Sequence, residues 1–231
     1  MLTDSINKLV IKNVTCDGKL HRWKTWKPNT PFAPQIDVHL YHDSISLSLT
    51  DKLIELICLQ NIGEYRNGAW EKYNIFSIKN NSIDELKNII WDSYLDYCES
   101  IEVEPYDRDY ILIRGWAVRL DDKDEVGMHS HSLHENTFIS GNISLTDNKT
   151  TTDYWIPLFS LYHGFYECDN IPGKMTLFPS WVQHRVVPNN SGKRRYSLAF
   201  DLFTKQSIDY VIETNTQETD SGKIILLSVP L

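Results

Sequence analysis

Several things are scarce in this sequence, and each scarcity excludes a class. Its four cysteines, Cys16, Cys58, Cys98 and Cys168, are far apart and form no CxxC pair. That spacing offers neither a structural zinc site nor a disulfide framework for a chain of this length. No apolar run reaches membrane-spanning length, and "MLTDSINKLVIKN" lacks the basic-then-apolar layout of a signal peptide. The expectation is a cytoplasmic chain in a reducing compartment with no membrane partner. Positive charge is in deficit: the net charge is −8, and the one dense basic cluster is Lys193, Arg194 and Arg195. No broad nucleic-acid surface is expected from that balance. No G-x-S-x-G, P-loop or G-x-G-x-x-G pattern occurs, so hydrolase, NTPase and dinucleotide readings find no support. Repeats and Pro/Gly/Ser linkers are also missing, and 231 residues can bury one sizeable core. We read residues 1–231 as one domain: a mixed bracing region at 1–109, a β-rich core at 110–205 and a C-terminal extension at 206–231.

Aromatic residues are plentiful, with twelve tyrosines and seven tryptophans, as in β-rich folds. In the first hundred residues "KLVIKNV" and "IDVHLYHD" predict strands, and "TDKLIELICLQ" and "SIDELKNIIWDSYLDYC" predict helices. Ser82 and Glu85 form an S-x-x-E capping box. Ile83, Leu86, Ile90, Tyr94 and Tyr97 then recur at the spacing of one buried stripe. From Tyr110 onward strands follow one another: "YILIRGWAVRL", "TFISGNISL", "DYWIPLFSLYH", "GKMTLFPSWVQHRVV" and "RRYSLAFDLF". The pattern predicts an α+β protein whose C-terminal half is a sandwich or jelly roll.

The histidines concentrate the chemistry. Three of the eight fall in "HSHSLH", at His129, His131 and His134. On extended backbone, positions i and i+2 put His129 and His131 on one side, where both could approach a metal ion. "FPSWVQHRVV" reads as one strand able to bring His184 to the same point. Arg195 follows eleven residues later, and a single turn between antiparallel strands would set it beside His184. Alternation in "RRYSLAF" puts Arg195, Ser197 and Ala199 on one face and Tyr196, Leu198 and Phe200 on the other. Arg195 and Ser197 can then grip one carboxylate, while Arg194 points away. In "ISGNISL" Ser140, Asn142 and Ser144 share a face, which looks either into a polar interior or into solvent.

Residues Trp116 to Phe200 resemble the catalytic core of the iron(II)- and 2-oxoglutarate-dependent oxygenases. The similarity is to a group of bacterial and tailed-phage proteins with a prolyl-hydroxylase-like layout. It is borne by Trp116, "HSH", "FISG", "FPSWVQHRVVPN" and "RRYSLAF". The resemblance implies a double-stranded β-helix (jelly roll), with iron(II) on His129, His131 and His184. It also implies 2-oxoglutarate held by Arg195 and Ser197 beside Asn142 and Ser144, and C–H hydroxylation coupled to decarboxylation of that co-substrate. The chain departs from the usual pattern in reading HxH where most of the superfamily has HxD or HxE. Counted from Trp116 the spacing selects His129 and His131; counted back from Phe138 it selects His134. Glu135 is the nearby carboxylate. Relatives carry tyrosines after "SG", and here Tyr154 and Tyr162 are the replacements at hand.

Two other readings follow from the same departures. One is a jelly-roll binding or structural module without catalysis; the other is a three-histidine, cupin-like metalloenzyme that does not use 2-oxoglutarate. The substrate stays open among protein, nucleobase, sugar and small metabolite. His39, His42 and Asp43 are read as a strand end in preference to a second metal site, His163 as part of an aromatic loop, and "HRWKTWKP" as a packed surface segment. The lysine-, asparagine- and isoleucine-rich composition hints at a phage genome.

Overall fold

The computed structural model describes residues 14–24, 31, 37–63, 73–106, 110–131, 133, 135–155, 165–207 and 225–228. Among the described residues, twelve strands and two α-helices run in the order β1 (Val14–Asp17), β2 (Leu20–Lys24), β3 (Asp37–Ser44), α1 (Leu47–Gln60), α2 (Asn81–Ser100), β4 (Tyr110–Leu120), β5 (Val126–His129), β6 (Ile139–Ser144), β7 (Thr151–Trp155), β8 (Phe165–Asp169), β9 (Lys174–Pro179), β10 (Gln183–Val186), β11 (Arg195–Phe203) and β12 (Ile225–Ser228). They build an eight-stranded sheet, β1-β2-β3-β9-β6-β11-β4-β12, and a four-stranded one, β5-β10-β7-β8. Every strand pair is antiparallel. The α+β expectation is met. Among the described residues no helix is long and apolar enough to cross a membrane.

Both helices begin where a side chain can satisfy an orphan backbone N–H. Ser46 accepts from Leu49 N at 3.1 Å to open α1. Asn80 accepts from Ser82 N at 2.8 Å to open α2. The capping box on Ser82 and Glu85 is therefore a correction: Asn80 caps the helix and Ser82 is buried in its first turn. Asn and Ser are comparably good caps, so the helix simply begins at the earlier one. The stripe Ile83, Leu86, Ile90, Tyr94 and Tyr97 is buried as read. It packs with Leu49, Leu53 and Ile57 of α1 against Ile113, Ile143, Met175, Leu177, Leu198 and Phe200 on one face of the large sheet. Gly141 on β6 is required there. A Cβ would stand 2.2 Å from the ring of Phe200, its cross-strand neighbour on β11.

The other face of the large sheet meets the small sheet. Val38, Leu40 and Phe178 from the large sheet cluster with Tyr154 and Cys168 from the small one. Val118 and Leu120 cluster in the same way with Val126 and Val186. A central strand such as β6 is thus covered on both sides. Ile143 faces the helices, while Ser140 and Ser144 are buried toward the small sheet. The solvent alternative for that polar face is excluded.

Three further expectations need correction or extension. "GKMTLFPSWVQHRVV" is two strands. The chain turns at Pro179–Val182, closed by Val182 N donating to Pro179 O at 2.9 Å, and β9 and β10 enter different sheets. His184 and Arg195 are consequently not neighbours on a hairpin: β10 pairs with β5 and β7, whereas β11 pairs with β4 and β6. The connection through "VPNNSGK" crosses between sheets instead. It is braced by Asn189, whose amide reaches Lys193 O at 2.6 Å and whose N–H bonds Asp124 O. The extension supplies β12, which pairs with β4. The predicted strand at "KLVIKNV" lies outside the described residues up to its last residue, where β1 starts.

Candidate metal centre

His129 closes β5, His131 follows it by two residues, and His184 lies on β10 directly opposite His129. Strand pairing thus brings two rings together and local extension brings the third. One ligand atom from each of the three lies within 4.8 Å of the others. The ring centroids are 4.3 Å apart for His129 and His184, 5.1 Å for His131 and His184, and 5.3 Å for His129 and His131.

The orientation of each ring is set by its Nδ1. His129 Nδ1 lies 2.8 Å from Gly127 O, and His184 Nδ1 lies 3.0 Å from Val182 O. His131 Nδ1 lies 2.5 Å from Asp201 Oδ1. A carbonyl or carboxylate can only accept, so each Nδ1 carries a proton, and in the neutral ring Nε2 keeps its lone pair. That is the tautomer a metal ion needs, and these three rings could hold one. Burial pushes the pKa of His129 and His184 down, His184 furthest, so both are neutral near pH 7. Burial acts the same way on His131, but the Asp201 carboxylate overrides it and the net shift is upward.

Arg195 is fully buried between the sheets. Its Nη1 donates to Ser197 Oγ at 2.9 Å, and its Nε is buried without a partner. No carboxylate pairs with it among the described residues. Burial lowers its pKa to about 10, partly offset by the nearby Tyr154 phenol, and it stays charged at neutral pH. Leaving a buried cation unpaired costs several kcal/mol, on the order of an effective ion desolvation penalty. The side chains around it are polar in the expected way. Asn142 Nδ2 donates to Tyr154 Oη at 2.7 Å. Ser144 is buried opposite Ser197 across the β6–β11 pair. Tyr154 is completely buried, with its ring stacked on that of His184 at 5.8 Å. It supplies a phenol beside Arg195 from β7. The donor set therefore suits both an iron(II) ion and a dicarboxylate.

The remaining candidates separate clearly. Arg194 points outward to Asp121, with Nε donating at 2.7 Å. Glu135 is exposed and is not part of the converging group. His134, Tyr162 and His163 lie outside the described residues, as does "HRWKTWKP" after Lys24. Sequence reasoning missed Asp201. Yet it continues the alternation Arg195, Ser197, Ala199, which was the available signal.

His39 and His42 lie on β3 three residues apart, hence on opposite faces, and form no second metal site. His42 accepts or donates at Thr176 Oγ1 through Nδ1 at 3.0 Å, and its Nε2 is buried without a partner. Burial lowers its pKa to about 3, with Lys174 and His21 adding to the effect. The groups facing it are His21 on β2, Lys174 and Thr176 on β9, and Tyr166 on β8. An unfolded histidine binds a proton below about pH 6.5, which the folded one refuses. Stability is therefore expected to fall as pH drops below that point, by at most about 1.4 kcal/mol per pH unit from this group. His42→Gln should flatten the decline in denaturant-unfolding free energy between pH 7.5 and 5.5. An unchanged decline would show that other groups cause it.

Comparison with known proteins agrees with this geometry. Residues 161–201 match the family described as putative 2OG-Fe(II) oxygenase. No curated protein matches the sequence. Among solved structures, a Pseudomonas putida prolyl-4-hydroxylase is similar at 13% identity and TM-score 0.53, over 72% of this chain and 85% of that one. The epimerase SnoN in complex with Fe3+, alpha ketoglutarate and nogalamycin RO is similar at 9% identity and TM-score 0.54, over 83% and 90%. The alpha ketoglutarate dependent carbocyclase SnoK from nogalamycin biosynthesis is similar at 10% identity and TM-score 0.51, over 83% and 92%. At these identities the likeness to solved structures speaks for the fold, and the family match together with the histidine cluster speaks for the chemistry. The family match over residues 161–201 and a histidine cluster that could hold a metal ion indicate an enzyme similar to the iron(II)- and 2-oxoglutarate-dependent oxygenases.

Proposed function

We propose that this chain is a hydroxylase with a double-stranded β-helix core, acting on an unidentified substrate in the cytoplasm. His129, His131 and His184 would hold iron(II) through Nε2. Arg195 and Ser197 would take the distal carboxylate of 2-oxoglutarate, with Asn142, Ser144 and Tyr154 lining its path. Bound iron and co-substrate supply an oxidant made from O₂ at the cost of decarboxylating 2-oxoglutarate. The protein's part is placement. Three protein ligands would leave positions on the ion open for co-substrate and O₂. The buried guanidinium favours a dicarboxylate over a neutral ligand, and the sheet-to-sheet packing keeps bulk water away from Arg195. The whole chain serves one domain in this reading, with residues 1–109 bracing the large sheet.

One observation bears most of the weight: a fully buried, unpaired arginine shares an interior with three histidines whose Nδ1 atoms are all committed. A structural salt bridge would have brought its own carboxylate. Anaerobic titration of the protein with iron(II), followed by 2-oxoglutarate, tests the reading. A visible charge-transfer band that needs both additions is the expected result. Iron binding without the band would favour the three-histidine, cupin-like alternative, which the absence of a carboxylate among the converging groups makes the natural rival. Failure to bind iron would leave a module with the fold and no catalysis.

A further inference from the structure

Among the described residues, Asp201 is the one charged group recorded as touching the histidine cluster from the large sheet. His129 and His184 use backbone carbonyls within two residues of themselves. His131 instead uses a side chain seventy residues downstream, on β11. Asp201 is itself anchored. Its Oδ1 lies 2.6 Å from Ser140 Oγ on β6, and Ser140 Oγ lies 2.8 Å from Ser180 Oγ. A hydroxyl has one proton and a carboxylate only accepts, so Ser140 donates to Asp201 and Ser180 donates to Ser140. Ser180 also holds the backbone of His131, whose N–H donates to Ser180 O at 2.9 Å. The main chain and the ring of His131 are thus tied into one closed network through Ser180, Ser140 and Asp201.

We propose that Asp201 is a positioning residue for the metal centre: it fixes the His131 ring with Nε2 inward and supplies, one hydrogen bond behind that ring, the negative charge that this ligand set lacks. The inference rests on the metal-centre reading above. Three neutral imidazoles leave a divalent ion uncompensated. A carboxylate on the far nitrogen raises the basicity of the ligating one and fixes its tautomer. Nothing comparable stands behind the other two rings, so the effect falls on His131.

Cobalt(II) binding, measured by calorimetry and by its visible ligand-field spectrum, tests this without turnover. Asp201→Ala removes both acceptor and charge and is expected to weaken cobalt(II) binding roughly 10- to 100-fold. Asp201→Asn keeps the shape and an acceptor oxygen but not the charge, and should fall between that variant and wild type with an altered spectrum. Should Asp201→Ala fail to fold, Asp201→Asn decides alone. Wild-type affinity and an unshifted spectrum in the folded variants would overturn the inference. In that case Asp201 would be structural, and its substitution would lower the melting temperature of the metal-free protein and nothing else. If the wild-type protein itself bound no cobalt(II), the metal centre would fall first and the role of Asp201 with it.

Discussion

Arg195→Ala should bind iron(II) as the parent protein does and lose most of its affinity for 2-oxoglutarate. The guanidinium is buried, with one hydrogen bond, to Ser197, and an Nε with no partner among the described residues. No carboxylate of the described residues pairs with it, so a ligand carboxylate is expected to supply the counter-charge. Truncating one side of a buried, hydrogen-bonded charge pair costs about 2–5 kcal/mol, or roughly 30- to several-thousand-fold in affinity. The three histidines lie on β5, on the residues just after it, and on β10, in elements that Arg195 does not pair with, so metal affinity should be spared. Arg195→Lys keeps the charge but loses the planar fork, and is expected to be intermediate. Arg195→Met serves as a folding control, because replacing an uncompensated buried charge by an apolar chain of similar length is often neutral for stability. Calorimetric titration with 2-oxoglutarate in the presence of iron(II) reads the effect. Wild-type affinity in Arg195→Ala would take the co-substrate role away from this residue.

Local patterns were legible where local physics decides them. β4 appears in the sequence from Tyr110 to Leu120 because a long β-branched and aromatic run has no competing helical period. The alternation in β11 survives intact. Leu198 and Phe200 join the core beneath the helices, and Arg195 and Ser197 bond on the opposite face. The i, i+2 placement of His129 and His131 also held, with stacked rings 19° apart. What failed was long-range. Nothing in "GKMTLFPSWVQHRVV" says that β9 pairs with β3 and β6 while β10 leaves for the other sheet. Only Pro179, which cannot donate to a ladder, hints at the break. Strand partnership is decided by tertiary packing. The relation of His184 to Arg195 was therefore misread as a hairpin. The helix cap failed for the opposite reason. Asn80 and Ser82 are both good caps two residues apart, and propensity alone does not rank them. Asp201 was missed because only its contact with His131, across seventy residues, gives it meaning.

His184→Ala is the harshest test of the metal centre, and it should leave the protein without measurable iron. His184 lies opposite His129 in the β5–β10 pair and closest to it in ring distance. Its depressed pKa keeps the imidazole neutral and available at physiological pH. Removing one of three ligands should cost more than the roughly 10- to 100-fold typical of an outer-shell partner. A loss exceeding about 100-fold in iron(II) affinity is therefore expected. The ring also packs against Phe178 at 4.8 Å and Tyr154 at 5.8 Å, so some loss of stability accompanies the change. His184→Gln keeps more of that volume and separates the two effects. 2-Oxoglutarate binding should weaken in the same variants although Arg195 is untouched, because a dicarboxylate that chelates the metal loses one of its two anchors. Wild-type iron content in a folded His184→Ala would remove the site as drawn. Iron loss with unchanged 2-oxoglutarate affinity would mean that the dicarboxylate binds at Arg195 without reaching the metal, and the coupling on which the oxygenase reading depends would be gone.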